Sequence, residues 1–193
     1  MRTLNLAMLG AFVLGQAAFA GIITYDTFLN GGNESPPNAS PGIGFAIVTI
    51  DTILQTMEVN VTFSGLQGPD TASHIHCCTA SPGTGTAGVA TTTPTFTGFP
   101  SGVTSGSYDM VFDLTAASTY NPAFVAAQGS VANAEAALLA AMALDETYLN
   151  IHTTVVPGGE IRGFLVATPE PATFLMAGTA LAGLALLRRK RAA

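Results

Sequence analysis

The residues best suited to chemistry in this chain of 193 residues are its histidines and cysteines. The stretch SHIHCC, residues 73–78, contains two of the three histidines and both cysteines, and the third histidine is His152. Because side chains alternate along a strand, His74 and His76 should share one face of a predicted strand. Neutral imidazole binds both Zn²⁺ and Cu²⁺. If the two strands are neighbours, the pattern predicts a zinc or copper site made of His74, His76 and His152.

A structural polar cluster with Glu160 and Arg162 is the favoured interpretation of the same histidines, and the metal site is the alternative. Glu160 and Arg162 also share one face of a predicted strand, and Arg162 is the single cation between residues 21 and 167. A guanidinium group matches a carboxylate in a bidentate pair. We therefore expect Arg162 to be at least partly buried and paired with Glu160 or with an acidic residue of a neighbouring strand. In this interpretation the cluster binds no cofactor.

Catalysis is the least supported use of these residues. The sequence contains neither Gly-x-Ser-x-Gly nor His-Glu-x-x-His, and nothing in it singles out a nucleophile or a general base. We therefore expect no catalytic residues and a protein that is not an enzyme.

The adjacent Cys77 and Cys78 have three open interpretations. Neighbouring Cα atoms lie ~3.8 Å apart across a trans peptide, whereas ordinary disulfides need about 4.4–6.8 Å. A vicinal disulfide is therefore strained, although export to an oxidising compartment favours it. The alternatives are free or intermolecular thiols, and thiolates that bind a soft metal ion beside His76.

The elements that must position these residues are mostly strands. Apolar and polar residues alternate from Met57 to Phe63 and from Tyr108 to Leu114, which is typical of half-buried strands. Further strands are predicted at 22–29, 43–50, 148–153 and 160–166, with turn signals between them. One helix is predicted in the alanine- and leucine-rich stretch 133–144. The predicted fold class is all-β, an antiparallel sandwich or barrel-like domain over residues 21–167 with one short helix.

The N-terminal 20 residues have the pattern of a secretory signal peptide. Arg2 precedes an apolar run, and Ala18-Phe19-Ala20 places small residues at the positions that a signal peptidase reads. The apolar run is short for a membrane span. The pattern predicts cleavage by signal peptidase and a mature chain that begins at Gly21.

The C-terminal segment, residues 168–193, has three parts in a fixed order. Pro169-Glu170-Pro171 comes first, an apolar run over 172–187 follows, and Arg188, Arg189, Lys190 and Arg191 come last. Basic residues beside a transmembrane helix mark its cytoplasmic side. The order resembles the PEP-CTERM sorting signal of Gram-negative bacteria. That resemblance implies transient membrane insertion, processing by an exosortase-type peptidase, and release or attachment at the cell surface. A permanent tail anchor is the alternative.

The net charge of the domain between the two signals limits the classes of partner that it can bind. Five of the six basic residues lie in the signals, so residues 21–167 have eleven acidic residues, one arginine and a formal net charge of −10. Nucleic acid and anionic lipid both need a basic surface. The charge excludes nucleic acid and fits an exported soluble domain.

Four stretches in this order resemble the CHRD domain: GGNESPP, FSGLQG, SHIH and YLNIHTTVVPGGEIRGFL. The resemblance spans about residues 22–167, and it departs from many members where Cys77 replaces glycine. It implies an all-β extracellular domain without established catalytic activity. Together with the sorting signal, it predicts a non-enzymatic component of the surface or exopolysaccharide matrix, with extracellular polysaccharide as a partner. The alternative is a metal-binding or redox protein that uses the three histidines.

Overall fold

The computed structural model describes residues 21–168. Eight strands form one antiparallel sheet, in the spatial order β4-β6-β7-β1-β2-β3-β5, with β8 paired to β1. The strands are β1 (Ile22–Asn30), β2 (Ile43–Asp51), β3 (Thr56–Ser64), β4 (Asp70–Cys77), β5 (Gly106–Asp113), β6 (Thr147–Thr153), β7 (Ile161–Phe164) and β8 (Val166–Ala167). The sheet curls into a half-barrel, so the predicted antiparallel all-β class is confirmed.

The hydrophobic core lies against one face of this sheet, and the alternation in the sequence decides which residues reach it. Tyr25, Val48 and Val59 occupy one cross-strand row, because Tyr25 pairs with Val48 and Val48 pairs with Val59. All three are at most 3% exposed. In β4 and β6 the same face receives Ile75, Leu149 and Ile151. Their neighbours His74, His76, Asn150 and His152 therefore lie on the opposite face.

Two α-helices cover part of the core, where the sequence predicted one. Helix α2 (Val131–Met142) corresponds to the predicted helix, and it begins where the Ser130 hydroxyl accepts from the Asn133 N–H at 3.1 Å. Helix α1 (Pro122–Gln128) has only seven residues, so it shows no apolar periodicity. The sequence signals that mark this helix are the residues at its two ends. Asn121 caps it, Pro122 occupies its first turn, and Gly129 ends it in the left-handed conformation.

The long connection between β4 and β5 runs back along the free edge of β4. Ala90 N–H donates to Ile75 O, and Phe96 N–H donates to Ser73 O, both at 2.9 Å. This connection carries Gly83 to Val89 past the end of the sheet that holds the histidines, where it meets the side chains of His76 and Arg162.

Candidate metal centre

The register of β4, β6 and β7 brings the three histidines together. His76 pairs with Tyr148, His74 with Asn150, and Ala72 with His152. Directly opposed residues of an antiparallel pair share a face. Since residues two apart on one strand also share a face, His74, His76 and His152 all project from the side of the sheet away from the core.

The three side chains are close enough to hold one metal ion. One nitrogen from each ring lies within 4.8 Å of the other two. The centroid of His74 is 5.1 Å from that of His76 and 4.8 Å from that of His152. His74 and His76 are buried, with 6% and 8% of their surface exposed, and His152 is half-buried. Among residues 21–168 this is the cluster of histidine, cysteine and carboxylate groups whose spacing suits an ion.

Backbone carbonyl groups lie beside the Nδ1 atoms of two of the rings. His76 Nδ1 lies 2.8 Å from Ala87 O, and His152 Nδ1 lies 2.9 Å from Pro157 O. A carbonyl oxygen only accepts, so Nδ1 of His152 carries the proton and its Nε2 has the lone pair. Both nitrogens of His76 lie beside an oxygen atom, Ala87 O and Asn150 Oδ1. A carbonyl behind the ring commonly orients a metal-binding histidine.

Two of the ring nitrogens have no hydrogen-bond partner among residues 21–168. They are His152 Nε2 and His74 Nδ1, and both are buried. His76 Nε2 lies 3.1 Å from Asn150 Oδ1. An unpaired buried polar atom costs about 1–3 kcal/mol. A metal ion bound to such a nitrogen would remove that cost.

Electrostatics keep the imidazoles neutral, which is the form that binds metal. Burial lowers the pKa of His74 to about 4, and the neighbouring His152 and His76 add to the shift. Burial also lowers the pKa values of His76 and His152 below their ordinary value. Three neutral nitrogen donors suit zinc or copper, and a four-coordinate ion would take its last ligand from outside this set.

Arg162 lies beside the cluster, but its carboxylate partner is not Glu160. Arg162 is 4% exposed, and its Nε lies 3.6 Å from Glu34 Oε2. Its guanidinium also donates to Asn33 O and, at 3.0 Å, to Gly85 O. Glu34 follows a short 3-10 turn (Gly31–Asn33) after β1 rather than lying on a strand. Reasoning from strand faces could not find it, since its place depends on how the loop folds.

Glu160 belongs to a separate network. One of its carboxylate oxygens accepts from the Ser40 hydroxyl and the Gln67 N–H, and the other accepts from the Thr153 hydroxyl, all at 2.6 Å. Burial acts to raise its pKa, but these bonds lower the pKa overall. The cluster expected from the sequence, with Glu160 and Arg162 together, is therefore two networks, and only that of Arg162 touches the histidine region.

The two cysteines are joined to each other at the end of β4. Cys77 belongs to the hydrophobic core cluster, while its neighbour His76 faces the other side of the sheet. Cys78 is exposed. The sulfur atoms therefore lie outside the three-histidine cluster.

The predicted export signals lie outside the described residues. These are the signal peptide over 1–20, Pro169, Glu170 and Pro171 of the sorting motif, the apolar run 172–187, and the basic residues Arg188, Arg189, Lys190 and Arg191. Within residues 21–168, neither α-helix is long and apolar enough to cross a membrane.

Residues 21–168 form a curled antiparallel β module that has its core on one face and a polar histidine cluster on the other. A family model for the CHRD domain matches residues 25–165, so the chain belongs to the CHRD domain family. A model for the PEP-CTERM protein-sorting motif matches residues 167–191. Both resemblances predicted from the sequence are confirmed. Comparison with curated proteins and with solved structures found no match.

The two matches fix the broad role of the protein. The PEP-CTERM motif marks a bacterial protein for export and surface sorting, with processing by an exosortase-type system. CHRD and PEP-CTERM regions are extracellular and sorting domains rather than catalytic ones. The chain is therefore an exported bacterial protein sorted by an exosortase system.

Proposed function

We propose that this protein is a non-enzymatic metal-binding component of the surface or exopolysaccharide matrix of a Gram-negative bacterium. The observation that carries the metal assignment is the pair of buried, unpartnered nitrogens, His152 Nε2 and His74 Nδ1, within one cluster of three imidazoles. The ion would be zinc or copper, held by His74, His76 and His152. Ala87 O and Pro157 O would orient two of the rings from behind.

The metal-binding role would not be a folding role. The core is formed by the opposite face of the sheet, by both helices and by loop residues such as Phe96, and none of its members is a histidine. We therefore expect the metal-free protein to stay folded, unlike small domains whose fold depends on their metal.

Metal analysis of the intact, tag-free protein tests the assignment. We expect about one equivalent of zinc or copper per chain, and its loss in the triple variant His74→Gln, His76→Gln, His152→Gln. A matched control is needed because an acidic surface attracts cations diffusely. The double variant Glu58→Gln, Asp109→Asn removes two exposed carboxylates and should keep the stoichiometric ion.

Two results would decide against the metal role. One is a substoichiometric metal content that falls equally in the triple variant and in the surface control. The other is wild-type metal content in the triple variant. Treatment with a chelator should leave the far-UV circular dichroism spectrum unchanged, and unfolding on treatment would contradict the separation of site and core.

The matrix role rests on sorting, which mass spectrometry tests directly. We expect signal peptidase to leave Gly21 at the N-terminus and the exosortase-type peptidase to cut near Pro169–Pro171. Intact-mass analysis of protein from the envelope and medium of the native host should show both ends. Replacing Arg188, Arg189, Lys190 and Arg191 by glutamine should impair membrane retention of the precursor and its processing, because basic residues hold the cytoplasmic end. A mature protein that ends at Ala193 would instead be a tail-anchored surface protein.

A further inference from the structure

A polar cleft lies beside the histidine cluster on the same face of the domain. Its volume is about 620 Å³, and its walls include Phe28, Glu34, Thr84, Arg162 and Phe164. Arg162 connects the two places, because its guanidinium carbon lies 4.7 Å from the centroid of the Tyr148 ring. That ring stacks on His76 at 4.6 Å. The cleft does not include the histidines, so it is a separate candidate site.

The buried ion pair in the cleft wall has spare hydrogen-bonding capacity of both kinds. A guanidinium group has five N–H donors, and those of Arg162 that have partners among residues 21–168 go to Asn33 O and Gly85 O. Glu34 also lines the cleft, and its Oε2 lies 3.6 Å from Arg162 Nε. The wall therefore offers further donors on Arg162 and a carboxylate acceptor on Glu34, which suits a ligand that both donates and accepts.

The charges of the cleft and of the domain limit the chemical class of the ligand further. Glu34 lies 3.6 Å from Arg162 and offsets part of its charge, so the wall carries at most one positive charge on a domain whose net charge is −10. An anionic ligand would meet Glu34 and a domain of net charge −10, and a cationic ligand would meet Arg162. Hydroxyl groups, which donate and accept without carrying charge, match the wall best.

Two phenylalanines supply the apolar part of the site. Phe28 is 72% exposed, an unusual exposure for a phenylalanine, and it packs against Phe45 with 4.8 Å between centroids. Phe164 also lies beside Arg162, with 5.6 Å from its ring centroid to the guanidinium carbon. Small-molecule sites commonly combine aromatic walls with a few convergent polar groups. A hexose ring presents apolar C–H faces and hydroxyl edges, which correspond to these two kinds of wall.

We propose that this cleft binds a neutral hexose polysaccharide, with Phe28 and Phe164 against the ring faces and Glu34 and Arg162 hydrogen-bonded to hydroxyl groups. The inference rests on the proposed matrix role, because the matrix is where the domain would meet a polysaccharide. It names that polysaccharide as the partner of the domain. It is independent of the metal ion, since no histidine lines the cleft.

Saturation-transfer NMR on the intact chain in detergent micelles tests the proposal. The probes are neutral gluco-, manno- and galacto-oligosaccharides, with oligogalacturonate as the acidic comparison and chitosan oligomers as the cationic one. We expect transfer to at least one neutral series, and an affinity about tenfold lower for Phe28→Ala, because part of a phenyl ring loses its contact. Ile43→Ala is the matched control, since Ile43 is 62% exposed on the next strand but does not line the cleft.

Glu34→Gln provides a second variant, which keeps the shape of the side chain and changes its hydrogen bonding. It should weaken binding of the neutral oligosaccharide and leave the metal content unchanged. Absence of transfer to every neutral series would overturn the proposal, as would transfer to the acidic or cationic oligomers alone. Binding that both Phe28→Ala and Glu34→Gln leave intact would also overturn it. Metal content and C-terminal processing, measured on the same samples, show separately whether the metal and sorting proposals hold.

Discussion

One face of the curled sheet carries the hydrophobic core, and the other carries the histidines and the buried ion pair. Both faces use the same strands: in β6, Leu149 and Ile151 enter the core, while Asn150 and His152 lie on the opposite side. The core side chains need only to be apolar and to fit. The polar side chains each need a specific partner, because a buried polar group without one is destabilising.

Several hydrogen-bond partners on the polar face come from loops, while Asn150, which contacts His76, lies on β6. Ala87 O and Pro157 O each bond a histidine, and Asn33 O and Gly85 O accept from Arg162. The contrast is the reason that we place the proposed function on this face. Its geometry is held by several segments that are distant in sequence, and two of its histidine nitrogens have no partner within residues 21–168.

The largest expected effect comes from breaking the buried ion pair on the polar face. Arg162→Ala removes the partner of a carboxylate that is 7% exposed, so it should lower the free energy of unfolding by about 3–5 kcal/mol. Thermal or urea unfolding measures this. The double variant Glu34→Gln, Arg162→Met should recover much of the loss, because no uncompensated charge remains. An unchanged melting temperature for Arg162→Ala would show that Arg162 and Glu34 are solvated in solution, which would contradict their burial in the structure.

A core substitution should separate stability from metal binding. Leu149 is fully buried, so Leu149→Ala should lower the free energy of unfolding by about 2–5 kcal/mol through lost contacts and a cavity. The folded fraction should keep its metal affinity, since Leu149 faces away from the histidines. His152→Gln, three positions on and half-buried, should do the opposite: metal affinity falls and the stability of the metal-free protein changes little. If Leu149→Ala abolished metal binding while the protein remained folded, the two faces would not be independent.

The smallest effect concerns pH. Burial lowers the pKa of His74 to about 4 and also lowers the pKa values of His76 and His152, so below the ordinary histidine value of 6.5 the metal-free folded protein binds fewer protons than the unfolded chain. Stability from these groups is therefore present above pH 6.5 and is lost as the pH falls below it, down to about pH 4 for His74. Glu34 changes stability with pH in the opposite direction. Burial raises its pKa to about 7, so the stability that the protonated Glu34 contributes is lost as the pH rises from 4.5 to 7.

The triple histidine-to-glutamine variant separates these opposing contributions, because it keeps Glu34. Urea midpoints measured with chelator from pH 7 to pH 4 should show the wild-type protein losing more stability than the variant over this range. Parallel curves for the two proteins would mean that the histidines are solvated and titrate as in the unfolded chain.

Much of the fold could be predicted because its signals are local and periodic. Alternation located β3 and β5 within two residues, the predicted strands between turn signals located β1, β2 and β6 within one residue, and composition located α2. Helix α1 was missed because its seven residues are too few for a period, although Asn121, Pro122 and Gly129 mark its ends. The grouping of the three histidines could also be anticipated, since strand alternation fixes their face once β4 and β6 are paired.

The sequence by itself determined which residues face the core, which histidines share a face, the excess of negative charge, and the sorting segment that follows the domain. All of these depend on periodicity, composition or order along the chain. Only the tertiary structure decided that Glu34, 128 residues before Arg162, is its carboxylate partner, and that Glu160 instead bonds Ser40, Gln67 and Thr153. It also placed the carbonyl groups of Ala87 and Pro157 behind the imidazoles. The physical reason is that backbone carbonyls and loop carboxylates are present throughout any sequence, and only the path of the folded chain selects which of them meets a given side chain.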